Sequence, residues 1–65
     1  MIGTVKMIDL KKKFGFIRCS DGNEFFFHLS NFEGDFDLLE RGQKVEFSVA
    51  QGPKGARGEK VKLLV

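Results

Sequence analysis

Phenylalanines and lysines are concentrated in one short stretch of the sequence. The segment F-G-F-I-R-C-S-D-G-N-E-F-F-F, residues 14–27, contains five of the eight phenylalanines, and the chain has no tryptophan or tyrosine. A lysine triplet, residues 11–13, comes immediately before it. Aromatic faces beside cations suit a single-stranded nucleic acid, whose bases stack on the rings while its phosphates follow the positive charge. This chemistry requires that some of the rings face water.

The charges are segregated along the chain, although the net charge is only +2. Residues 1–18 carry five basic side chains and one acidic side chain. Residues 19–46 carry two basic and seven acidic side chains, and residues 47–65 carry four basic side chains and one acidic side chain. Two basic ends around an acidic middle indicate a polyanion-binding surface if the ends meet in space. Charge alone favours the simpler interpretation that the lysines only solvate the surface.

The sequence contains little that indicates an enzyme, a metal site or a cofactor. His28 and Cys19 are the single histidine and the single cysteine, and no nucleophile motif or recognisable carboxylate pair accompanies them. One cysteine cannot form an internal disulfide. No apolar run is long enough to span a bilayer and no leader segment is recognisable, so we expect a cytoplasmic protein without a membrane partner.

The 65 residues predict one domain, residues 1–65, of the all-β class. Alternating apolar residues and glycine-marked connections indicate five short strands in a small antiparallel barrel. The first strand alternates imperfectly, as a bulged strand does. Residues 31–42 are predicted to be mainly a long loop with room for a helical turn, and residues 52–58 a second loop. We expect a monomer, with weak pairing through free strand edges as the alternative. The predicted strands are residues 2–10, 14–19, 24–29, 44–49 and 60–65.

The register of the central hairpin decides which rings share a face. A two-residue D-G turn places residue 16 opposite residue 27, whereas a three-residue S-D-G loop with left-handed Gly22 places residue 16 opposite residue 26. The second register sorts the side chains into two distinct sets and is the one we predict. It also places Gly15 opposite Phe27, where the missing side chain leaves room for the ring. The apolar set that suits the core is Ile17, Phe25, Phe27 and Leu29. The set that we expect to face outward, because a small barrel has one interior, is Phe14, Phe16, Phe26 and His28.

Two uses of this outward set remain open. An exposed aromatic patch beside lysines is typical of a ligand-binding surface. Alternatively, residues 31–42 cover the patch as a second small core, with Phe32 or Phe36 as its lid. We favour the ligand-binding surface, because a lid would bury His28 without an evident hydrogen-bond partner.

These residues closely resemble the cold-shock domain, a small bacterial OB-fold family that binds single-stranded RNA and DNA. K-K-F-G-F-I, residues 12–17, is similar to its first ribonucleoprotein-type motif, usually K-G-F-G-F-I, and F-F-F-H-L, residues 25–29, to its second, usually V-F-V-H-F. The resemblance covers essentially the whole chain. It implies a five-stranded antiparallel OB-fold barrel that acts as a passive, ATP-independent RNA chaperone. The implied stacking residues are Phe14, Phe16, Phe26 and His28, with Phe36 reaching in from the long loop. The implied basic contacts are Lys6, Lys12 and Lys54.

Four positions depart from the family pattern: Met7, Ile8, Lys13 and Leu29. Met7 stands where the family has a tryptophan stacking platform, and Ile8 and Leu29 stand where phenylalanines are usual. Losing one base stack, about 1–3 kcal/mol, predicts a weaker or re-tuned binder, although Met7 can still make a soft apolar contact. Lys13 replaces a usual glycine, costs about 1–2 kcal/mol if the backbone is left-handed there, and adds charge beside the binding face. The alternative is a protein-interaction module of the same fold that has lost most nucleic-acid affinity.

Overall fold

The computed structural model describes residues 1–53 and 55–64, so Lys54 and Val65 lie outside the described residues. Two short 3₁₀ helices, Leu29–Asn31 and Phe36–Leu38, lie between the central and the last strands. No helix in the described part of the chain is long and apolar enough to cross a membrane. The strands are β1 (Ile2–Asp9), β2 (Phe14–Arg18), β3 (Glu24–His28), β4 (Phe32–Glu33), β5 (Lys44–Gly52) and β6 (Gly55–Leu63).

The strands form a closed five-stranded barrel, which confirms the predicted all-β OB-type fold. Neighbouring strands follow the order β3-β2-β1-β5-β6, and β6 returns to pair with β3 through Arg57 and Phe26. The two-residue strand β4 adds to β6, where Phe32 pairs with Val61. Both closing pairings are parallel, whereas the ladders between β3, β2, β1, β5 and β6 are antiparallel. The four ladders that join the five barrel strands in order are thus antiparallel, as predicted, and parallel pairing occurs where the barrel closes and where β4 adds to β6.

The β2–β3 hairpin has the predicted register, with Phe16 opposite Phe26 and Phe14 opposite His28. Gly22 has a φ of +91°, and its N–H donates to the carbonyl of Cys19 at 3.0 Å. This is the three-residue loop that the sequence favoured. Gly15 is as tightly enclosed as expected, since a Cβ atom there would lie 2.9 Å from Cε1 of Phe27.

A β-bulge in β1 aligns the first strand with both faces of the hairpin. Val5 pairs with Ile17, but Met7 pairs with Phe16, so β1 advances two residues while β2 advances one. Val5 is therefore buried in the core, while Met7 lies across from an outward-facing ring. The irregular alternation of the first strand is thus explained by the bulge.

The last hairpin is longer than predicted. Residues 52–58 were expected to form a loop, but β5 extends to Gly52 and β6 begins at Gly55, and these two residues pair. The glycines gave a strong loop signal, yet the ladder that β5 provides stabilises strand conformation through residues 55–58. Between these two strands the structure describes only Pro53, which lies in a turn.

The barrel interior is closed at one end by the segment between β3 and β5. Phe32 and Phe36 are buried there, and their rings pack against each other and against Phe27. The 3₁₀ helix that contains Phe36 is capped by Asp35, whose carboxylate accepts the N–H of Asp37 at 3.0 Å. The segment that was predicted as a long loop is therefore ordered by β4 and the second 3₁₀ helix, and it covers one end of the core.

Candidate nucleic-acid interface

Three phenylalanine rings form a cluster on the outer face of β2 and β3. The ring centroids of Phe14 and Phe26 lie 5.4 Å apart, those of Phe16 and Phe26 5.9 Å, and those of Phe14 and Phe16 6.0 Å. Phe26 is 39% exposed, and the other two rings are half-buried. Since side chains alternate along a strand, the rings of Phe25 and Phe27 point the opposite way, into the core.

Met7 and His28 extend this cluster on either side, and we call the five residues the aromatic surface. Met7 is 37% exposed and lies opposite Phe16 on β1. His28 is exposed opposite Phe14, and its Nδ1 accepts the N–H of Ser30 at 3.1 Å. This hydrogen bond caps the 3₁₀ helix Leu29–Asn31 and fixes the imidazole beside the rings. The five residues are Met7, Phe14, Phe16, Phe26 and His28.

Phe36 does not lie on the aromatic surface, contrary to the expectation that it reaches in from the long loop. Its side chain is 3% exposed and its ring centroid lies 6.0 Å from that of Phe27, on the core side of β3. The same packing excludes the alternative in which Phe32 or Phe36 covers the outward-facing residues as a second small core. Both rings contact Phe27 rather than the outer phenylalanine cluster. We therefore leave Phe36 out of the candidate interface.

Two of the predicted lysines, which are chain neighbours of Met7 and Phe14, are already paired with acids. Nζ of Lys6 donates to Oε2 of Glu24 at 2.6 Å, and Nζ of Lys13 lies 3.1 Å from Oδ1 of Asp37. Lys12 is exposed in the turn between β1 and β2, where its backbone N–H donates to Oδ1 of Asp9. Lys54 lies outside the described residues.

Lys13 has the left-handed backbone that its glycine-like position suggested, with a φ of +61°. Its N–H donates to the carbonyl of Asp9 at 2.8 Å, and its carbonyl accepts the N–H of Leu29 at 2.8 Å. These two bonds join Lys13 to the end of β1 and to the first residue of the 3₁₀ helix Leu29–Asn31, and they hold the strained conformation. The left-handed backbone at Lys13 is therefore expected to cost about 1–2 kcal/mol in folding free energy relative to a right-handed one.

An ion cluster that the sequence reading missed lies at one end of the aromatic surface. Arg18 and Glu24 are directly opposite each other, one alternation beyond Phe16 and Phe26, and so share the outward face. Oε2 of Glu24 accepts from Lys6 and lies 3.7 Å from Nε of Arg18. The hydrogen bond from Lys6, followed by the charges of Lys6 and Arg18, lowers the pKa of Glu24 below its usual range. The predicted hairpin register, continued by one pair, places Arg18 opposite Glu24, so it could have predicted this ion pair.

An open groove of about 490 Å³ adjoins Phe26 on the side of the last hairpin. Its walls are mainly apolar and include Pro53, Ala56 and Arg57 together with the exposed ring of Phe26. Arg57 reaches this location because β6 closes the barrel against β3. No local sequence signal predicts that closure, so Arg57 was not a candidate residue.

Comparison with known proteins agrees with this geometry. The family model of the "'Cold-shock' DNA-binding domain" matches residues 1–64. The chain is 45% identical to the cold shock-like protein CspLB of Listeria monocytogenes over 60 residues, 91% of each chain. It is 49% identical to the cold shock-like protein CspB of Yersinia pestis over 57 residues, 85% of this chain and 81% of the relative. It is 42% identical to a cold shock-like protein of Thermotoga maritima over 65 residues, 98% of each chain. The chain belongs to the cold-shock domain family.

Proposed function

We propose that this protein binds single-stranded RNA or DNA on the aromatic surface, without ATP, and acts as a passive RNA chaperone. The observation that carries the proposal is the contiguous set of Phe14, Phe16 and Phe26, with Phe26 39% exposed on an otherwise ordinary small barrel. Each base that stacks on an aromatic ring gains about 1–3 kcal/mol, irrespective of its identity. Such a surface therefore selects unpaired bases rather than a sequence.

The surrounding cations supply the second part of the binding energy. Lys12 and Lys13 immediately precede Phe14 in the chain, and Lys6 precedes Met7. Phosphates bound by these side chains release counterions, which makes the affinity depend on salt. In the free protein Glu24 and Asp37 form ion pairs with two of these lysines. A phosphate must therefore displace a carboxylate to bind either lysine.

Binding of this kind changes RNA structure by mass action. A protein that binds only the unpaired form lowers the population of weak hairpins in proportion to its free concentration. No nucleotide hydrolysis enters this scheme. We expect the affinity to be lower than that of a surface carrying a further aromatic ring, because Met7 offers a smaller and flexible apolar contact.

The test is a titration of a fluorescently labelled single-stranded pyrimidine oligonucleotide of about seven nucleotides, followed by anisotropy at low and at physiological salt. The label must be on the oligonucleotide, since the chain has no tryptophan or tyrosine. We expect saturable binding that weakens but persists at physiological salt, and much weaker binding of the same sequence as a duplex. A folded sample that does not bind even at low salt would overturn the proposal and favour a protein partner for this surface.

A further inference from the structure

A second groove, basic rather than aromatic, opens on the outer face of β1, β2 and β5. It has a volume of about 520 Å³, and its described lining includes Lys6, Arg18 and Lys44 but no acidic side chain. Thr4 lies at its centre, paired with Arg18 on one side and with Lys44 on the other. Three cations around a shallow groove form a site for an anion with several oxygen atoms.

The groove is continuous with the aromatic surface. Arg18 and Glu24 follow Phe16 and Phe26 on the same outward face of the hairpin, and Thr4 and Lys44 lie on the next strands across. Neighbouring strands are separated by about 4.8 Å, so the path from Arg18 through Thr4 to Lys44 spans roughly 10 Å. Lys6 connects the two regions, because it lines the groove and is the chain neighbour of Met7 in the bulge.

We propose that this basic groove binds the phosphate backbone of the same nucleic-acid strand where it runs beyond the stacked bases. The proposal rests on the proposed function and deepens it, because it gives the strand an exit path from the aromatic surface. None of the described residues that line the groove is aromatic, so the groove contacts phosphates and leaves the bases of this segment unread.

Glu24 regulates access to the groove. Its carboxylate holds Lys6 at 2.6 Å and lies 3.7 Å from Arg18, so it neutralises two of the three cations in the free protein. An incoming phosphate takes these cations over and leaves Glu24 to solvent. The phosphates that these cations neutralise release counterions, so the contribution of the groove depends on salt.

The experiment separates phosphates from bases by extending a labelled oligonucleotide with abasic nucleotides. The core is an oligothymidylate of about six nucleotides, and about three abasic nucleotides are added at the 5′ end or at the 3′ end. We expect one of the two extensions, and not the other, to tighten binding, because the groove lies at one end of the aromatic surface. Its salt dependence should steepen by about 0.7 in log Kd against log salt for each phosphate bound.

Single substitutions test whether the groove causes the tighter binding of the extended oligonucleotide. The quantity compared is the ratio of the extended to the core affinity within each variant. Lys44→Gln should reduce this ratio about two- to threefold at low salt, as expected for one lost phosphate contact. Lys60→Gln, which removes an exposed lysine outside the groove, should leave it unchanged. Glu24→Gln should increase the ratio, because it frees Lys6 and Arg18.

The outcomes distinguish this inference from the proposed function. If the core oligonucleotide does not bind to the folded wild-type protein, both fail. If the core binds but neither extension tightens binding, or if Lys44→Gln and Lys60→Gln behave alike, the groove proposal alone is overturned. Far-ultraviolet circular dichroism of each variant establishes that the barrel is intact before its affinity is interpreted.

Discussion

Phe36 packs against Phe27 inside the barrel, with ring centroids 6.0 Å apart and ring planes at 61°. Phe27 is fully buried, and its chain neighbour Phe26 points to the opposite side of β3. A single strand therefore separates a ring that stabilises the core from a ring that water reaches. The phenylalanines on the two sides should respond in opposite ways to truncation.

We predict that Phe26→Ala and Phe36→Ala have contrasting effects. Phe26→Ala removes an exposed stacking ring, so it should weaken oligonucleotide binding by about 1–3 kcal/mol, roughly fivefold to somewhat over a hundredfold, while lowering stability only slightly. Phe36→Ala leaves a cavity in the core and should lower the free energy of unfolding by about 3–5 kcal/mol. Urea unfolding and anisotropy titration of both variants measure the two effects. A severe loss of stability in Phe26→Ala would mean that its ring belongs to a core.

The contrast between these two rings also marks what the sequence could predict. The outward position of Phe26 follows from hairpin register alone, because a slip of one residue would mix apolar and aromatic sets on both faces. The burial of Phe36 depends on how the segment after β3 folds against the barrel end, where its ring packs on Phe27 and Phe32 in a tertiary contact that strand alternation does not predict. A resemblance at the level of motifs could not decide between these two locations.

The glycine-rich segment gives a similar lesson about local signals. Gly52, Pro53 and Gly55 favour a loop by their intrinsic preferences, yet β6 begins at Gly55 because β5 supplies a hydrogen-bonded partner. The seam between Phe26 and Arg57 likewise appears only once the barrel closes. Faces within a hairpin were therefore predictable, whereas contacts created by closure were not.

Lys13→Gly should stabilise the protein despite removing an ion pair. The left-handed backbone, with a φ of +61°, costs a lysine about 1–2 kcal/mol and costs glycine little. The exposed pair between Lys13 and Asp37 is worth about 0–1 kcal/mol, and glycine adds entropy to the unfolded chain. We expect a net gain of about 0.5 kcal/mol in the free energy of unfolding, measured with urea. Lys12→Gly is the control and should be destabilising, since among the described non-glycine residues only Lys13 and Lys60 have positive φ. Equal effects of the two substitutions would show that the backbone at Lys13 is not strained.

Stability should decline in acid partly through Glu24. Its hydrogen bond from Lys6 lowers its pKa in the folded state, so the folded protein binds this proton less readily than the unfolded chain does. The stabilising contribution is therefore complete above the ordinary glutamate pKa of about 4.3 and is lost as pH falls through the lower folded value. Glu24→Gln should flatten the decline in melting temperature between about pH 7 and about pH 3. Glu33→Gln removes another exposed carboxylate and is the matched control. A decline as steep in Glu24→Gln as in Glu33→Gln would contradict this assignment.

Met7→Trp should restore a stacking platform beside Phe16. Met7 is 37% exposed and lies opposite Phe16, so an indole there has access to solvent and can extend the aromatic surface by one ring. One additional base stack contributes about 1–3 kcal/mol, so we expect affinity for a pyrimidine oligonucleotide to rise about tenfold, with an unchanged salt dependence because no phosphate contact is added. The indole also provides an intrinsic fluorescence signal that base stacking should quench. Leu38→Trp introduces the same ring at a position that is 69% exposed but lies on the second 3₁₀ helix rather than on a strand of the aromatic surface. A similar gain in both variants would mean that any exposed indole binds the oligonucleotide, and that the aromatic surface has no special role.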